Sequence, residues 1–181
     1  MSSREVTPPR AAAAVAALGF IIEGAAVLGH KVPDSHWGVR GSIVDGAFAV
    51  AALAVVLALP ALGHLLEVGR VGRVGVRVAQ LGFVAMAVES FASLVHGGNT
   101  LGPVFAGGLL LVFAGLLALA VTGVAAGALR WAAPLPVLGM LVGIAGGDQG
   151  GSLALGVVWL VIAAVLGRPT AATRSATAGA I

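Results

Sequence analysis

The chain contains no cysteine. Disulfides, thiolate metal ligands and a thiol nucleophile are therefore excluded, and the redox state of the compartment leaves no mark on the sequence. Charge is also scarce: 9% of the 181 residues are charged, against about 25% in a soluble domain. Lysine occurs once, as Lys31, and histidine four times, too few for a membrane oxidase built on many histidines. The formal net charge is +3, but the ten basic residues are scattered between apolar segments rather than gathered into a stripe, which argues against nucleic acid as a partner. Catalytic signatures are missing too. There is no dinucleotide-binding glycine fingerprint, no HExxH and no G-x-S-x-G, and "GGDQGG" lacks the Lys and Ser/Thr of a phosphate-cradling loop. These absences point away from an enzyme.

What remains is apolar. Hydrophobic residues make up 59% of the chain and the mean hydropathy is +1.08, so water is not its main solvent. Apolar runs near the spanning length of about 20 residues predict an all-α, polytopic transmembrane bundle. Its six helices are expected at about 11–29, 43–62, 78–95, 104–126, 132–146 and 152–167. Residues 1–10 then form a cytoplasmic N-terminal segment and 168–181 a disordered cytoplasmic tail. Thr7 is placed to cap the first helix, whose first turn accepts Pro8 and Pro9. That run contains Glu23 and lacks a small-residue cleavage site, so it reads as a retained helix rather than a signal peptide. Pro60 falls near the end of the second run. The last two runs sit at the lower limit for spanning, with a re-entrant hairpin as the alternative.

Lys and Arg accumulate on the cytoplasmic side of short loops. An N-in, C-in arrangement puts Arg4, Arg10, Arg70, Arg73, Arg77, Arg130, Arg168 and Arg174 there, leaving Lys31 and Arg40 outside. The abundance of Ala, Gly, Val and Arg is what a GC-rich genome produces, and the cell membrane of a bacterium is the expected location.

Two apolar runs carry a carboxylate with a histidine seven residues on: Glu23 with His30, and Glu89 with His96. Gly41 and Gly46, Gly102 and Gly107, and Gly151 and Gly156 also share one spacing. Together these suggest three copies of a helix hairpin. The third departs from the pattern, with no Glu and with Asp148 roughly where the His would be. Seven residues is close to two helical turns, so each Glu and His share a face about 10 Å apart along the axis. Across helices, Glu23 is expected to approach Glu89 and His30 to approach His96, with Asp45, Ser90 and Ser93 nearby.

An intramembrane carboxylate is costly, by about 2.5–3.5 kcal/mol on insertion scales for a central Asp, so it faces protein or water. Two at one depth repel, which favours a shared proton or a bound cation. Three readings of Glu23, His30, Asp45, Glu89, Ser93 and His96 stay open. They are a site for a proton, cation or small solute; a metal site on Glu23, His30, Glu89 and His96, or haem between the two histidines; or plain packing polarity. No cofactor is firmly implied. Elsewhere, Arg70, Arg73 and Arg77 have helical spacing and suit anionic lipid heads, each contributing about 1 kcal/mol, though setting topology explains them equally well. His64 and Glu67 read as a solvated pair. In the loop from His30 to Trp37, the tryptophan reads as an interfacial anchor. The expected function is non-enzymatic binding or transport of a proton, cation or small solute through an outward-facing Glu/His layer. The alternative is an accessory subunit of a larger membrane complex, with the bilayer, further copies or other membrane chains as partners.

Overall fold

The structure is a computed structural model that describes residues 7–28, 38–96, 101–126 and 129–167, apart from the side chain of Asp148. The described residues form six α-helices: α1 (Pro8–Val27), α2 (Val39–Leu65), α3 (Arg70–His96), α4 (Gly102–Ala126), α5 (Leu135–Ala145) and α6 (Ser152–Leu166). A 3-10 turn, Gly147–Gln149, separates the last two. The expected segments 1–6 and 168–181, and the loop carrying His30, Lys31, Asp34, His36 and Trp37, lie outside the described residues.

Four helices, α1 to α4, are long and apolar enough to cross a membrane by length and composition. With 11 residues, α5 extends about 17 Å, and α6 with 15 about 22 Å, against a hydrocarbon thickness of about 30 Å. Turns make up part of the difference for α5. Residues 129–134 run as consecutive turns, with Ala132 N–H donating to Leu129 O (2.9 Å). They bury Ala132 and Ala133 beside Gly123 of α4.

Helices α1 to α4 all start earlier than their apolar runs, α3 and α2 by the most. α3 begins at Arg70 rather than Val78, and α2 at Val39 rather than Ile43. A hydropathy reading stops where charge begins, but the backbone has no reason to: Arg70, Arg73 and Arg77 point outward while Gly72, Gly75 and Val76 are buried. At the start of α1, Thr7 holds the N-cap position without a side-chain cap bond. Its backbone carbonyl accepts from Ala11 N–H (3.0 Å) instead.

The helices form a ring in which each packs on its neighbours in sequence, and α6 closes it against α1. Neighbours run antiparallel: Gly19 faces Ala47 and Ala51, Gly63 faces Val76, Gly75 faces Ala118, and Gly156 faces Ala17 and Ile21. Helices α1 and α3 make little direct contact because α2 stands between them, so the expected face-to-face pairing of these two is not seen. The α2–α3 and α1–α6 seams are more extensive than α5–α6, so the packing does not mark off three hairpin units. Nor do the equally spaced glycines share a role. Gly156 is pressed against α1, whereas a Cβ at Gly107 would meet open space.

Pro60 lies inside α2, which continues to Leu65. A proline there has no N–H for the carbonyl four residues back, Val56 O. The α3 side chain of Gln80 supplies it, with Nε2 donating to Val56 O at 2.7 Å. An apolar surround demands that such a carbonyl be satisfied from a neighbouring helix. The α2–α3 turn is a Schellman cap: Glu67 N–H donates to His64 O (3.1 Å) and Val68 N–H to Gly63 O (3.3 Å). Glu67 takes the left-handed position, φ 53°, which is usually glycine's, and so lies beyond the helix on which it was expected to pair with His64.

Candidate functional site

The ring leaves a cavity near the end where α1, α3 and α5 finish and α2, α4 and α6 start. It has two chambers that share Glu23, Val44, Phe48 and Phe105. The smaller, about 210 Å³, also carries Asp45, Glu89, Ser90 and Ser93. Three carboxylates from three helices thus border one space.

Each is positioned by its own element. Glu89 lies two turns before the end of α3 and is 5% exposed; Ser93, one turn on, donates from Oγ to Glu89 Oε1 at 2.8 Å. Asp45, in the second turn of α2, is only partly buried and lies within electrostatic range of both Glu23 and Glu89. It therefore mediates between two residues expected to meet directly.

Glu23 is held by a contact that the sequence did not announce. At Gly24 the first turn of α6 presses on α1, so closely that a Cβ there would lie 2.7 Å from Leu153 N. This brings Ser152 onto the same cavity wall as Glu23. The turn before it needs glycine: Gly150 sits at φ 80° against Leu28 and Gly24. Although Glu23 as a residue is partly buried, its Oε2 is fully buried with no hydrogen-bond partner. Buried polar atoms of this kind are rare and call for an explanation.

The larger chamber, about 340 Å³, is mostly apolar and takes residues from all six helices, among them Met86, Leu109, Met140, Ile144 and Leu155. The Phe48 and Phe105 rings, 5.8 Å apart between centroids and inclined at 44°, line both chambers.

Of the expected imidazole layer the described residues include His96, which does not line the cavity. His96 is exposed, one turn past Ser93, the last buried residue of α3. Its shared face with Glu89 carries it above the packed bundle. Its Nδ1, when protonated, donates to Ala92 O at 2.9 Å. His30 lies outside the described residues. Among the described residues no three of His, Asp and Glu are gathered as a metal ion requires; of the three expected metal ligands that are described, Glu23 and Glu89 share the cavity and His96 does not.

At the opposite end, Arg73 and Arg77 line a pocket of about 290 Å³ with His64, Glu67 and Pro60. Arg77 also donates to Gln80 Oε1 (3.3 Å). Arg70 is exposed and lies off this pocket.

No family model matches the chain, and neither a curated protein nor a solved structure does. The four long apolar helices fit an integral membrane protein.

Proposed function

We propose that this chain is a multi-pass cell-membrane protein that binds a cation in the cavity bordered by Glu23, Asp45 and Glu89, as a carrier or receptor rather than an enzyme. The observation that carries this reading is the buried, unpartnered Oε2 of Glu23 beside two further carboxylates. Like charges in a weakly screening surround repel, and a cation or proton is what allows them to coexist. In a membrane, ionisable groups gathered on an interior cavity mark ligand and ion pathways.

The orientation in this proposal is N-in, C-in with six crossings. Arg10, Arg70, Arg73, Arg77 and Arg130 all belong to the end away from the carboxylates, and an excess of arginine favours the cytoplasm. The cavity then faces outward. Arg10 additionally lies over Gly167, where a cation complements the carbonyl end of α6.

Two measurements test the proposal. A Gln149→Cys chain, free of background thiols, is expected to react with a membrane-impermeant maleimide from outside intact cells; reaction from the cytoplasmic side alone overturns the orientation. In vesicles containing the purified chain, cation binding or flux is expected, and Glu23→Gln or Glu89→Gln abolishes it without lowering the amount of protein. If both variants behave as the parent and the chain instead purifies with other membrane proteins, the accessory-subunit reading replaces this one.

A further inference from the structure

A bare metal ion is a poor match for this cavity. Metal ions need several oxygens converging at one point, whereas the described residues hold no such group, and Glu89 Oε1 already accepts from Ser93. Beside the carboxylates stand two phenylalanine rings, whose faces attract cations. Beyond them lies the apolar chamber of about 340 Å³, within the range of about 300–1,000 Å³ typical of small-molecule sites. A small inorganic ion makes no use of such a space. Two of its wall residues, Met86 and Met140, are unbranched and adapt to varied apolar shapes.

Resting on the cation reading above, we infer that the ligand is an amphipathic organic amine. Its protonated nitrogen lies among Glu23, Asp45 and Glu89, and its apolar body fills the chamber between Phe105 and Leu109 of α4 and Met140 and Ile144 of α5. The carboxylates around the cavity narrow the class further. Carboxylate oxygens accept hydrogen bonds, which a primary or secondary ammonium donates and a quaternary ammonium does not. The site thus distinguishes amines by N–H content as well as by charge and bulk.

The test is equilibrium binding of 2-phenylethylammonium to the full chain in lipid nanodiscs, with a competition series on the unsubstituted protein. Saturable binding is expected. Ethylammonium, which lacks the body, 2-phenylethanol, which lacks the charge, and benzyltrimethylammonium, which lacks the N–H, should each bind at least about tenfold more weakly. Glu23→Gln should lower 2-phenylethylammonium affinity by a similar factor, and so should Leu109→Trp, which fills the chamber. If sodium or ethylammonium binds as tightly as 2-phenylethylammonium, the organic-amine inference falls while the cation reading stands. If benzyltrimethylammonium binds equally well, the role given to N–H donation to the carboxylates falls. Should 2-phenylethanol match the amine, or no cation bind at all, both the inference and the cation reading are overturned. Because the ligand series needs no substitution, a variant that fails to fold does not decide the outcome.

Discussion

Helix α4 meets its two neighbours in opposite ways. Against α3 it is pressed backbone to backbone: a Cβ at Gly82 would lie 2.5 Å from Gly108 O, and one at Gly75 would lie 2.7 Å from Gly115 O. Toward α5 it closes near its own C-terminal end, where Gly123 meets Ala133 of the turns that precede α5. Nearer its N-terminus, Phe105 and Leu109 line a chamber that Met140 and Ile144 border from α5. Small residues let helices approach within van der Waals range of their backbones, the main source of cohesion where lipid is as apolar as the side chains. Large side chains hold the other pair apart. The same helix thus supplies one side of the most extensive seam of the ring and one wall of the 340 Å³ chamber.

The sharpest way to break this contrast is Gly115→Val. Its side chain would strike Ala79 N and Gly75 O, and backbone cannot yield as a flexible side chain does. Reversible unfolding in SDS should show a loss of about 3 kcal/mol, at the upper end for overpacking. Gln80→Leu comes next. It leaves Val56 O unsatisfied beneath Pro60 and should cost about 1 kcal/mol, while Pro60→Ala in the same background should restore most of it. On the loose seam, Ile144→Ala removes a side chain that is 48% exposed and already borders a void, so the same assay should register less than about 1 kcal/mol. A loss equal to that of Gly115→Val would erase the distinction between the seams. The smallest effect belongs to Gly107→Ala, on the open face of α4, expected within about 0.5 kcal/mol of the parent.

The glycines also show what was legible in the sequence and what was not. The five-residue spacing of Gly102 and Gly107 catches the eye, but five residues turn a helix about 140° away from its starting face. The packing uses seven: Gly75 with Gly82, and Gly108 with Gly115, each pair returning to one face. Apolar runs located all six helices, because hydropathy reports composition directly. They misplaced the start of α3 because arginine ends an apolar run without ending a helix. Of the candidate site, Glu23, Asp45, Glu89, Ser90 and Ser93 were readable as rare polar groups in apolar runs. Ser152 was not, since its approach to Glu23 depends on α6 folding back onto Gly24, a long-range contact that no local pattern encodes. Gln80 could have been found by asking which neighbour satisfies the carbonyl that Pro60 leaves free. His96 shares a helical face with Glu89 but lies two turns further along, past the last buried residue of α3, a difference of depth that face periodicity alone does not report.

The closure of the ring by α1 and α6 orders events during synthesis. Glu23 on α1 is translated long before Ser152, which lies on the same cavity wall. At about 5–20 residues per second, the delay is on the order of ten seconds. Throughout it α1 has α2 on one flank and lipid on the other, and Glu23 lies beside the open seam. The arrival of α6 therefore does two things at once: it packs against α1 and completes the cavity wall beside Glu23 with Ser152.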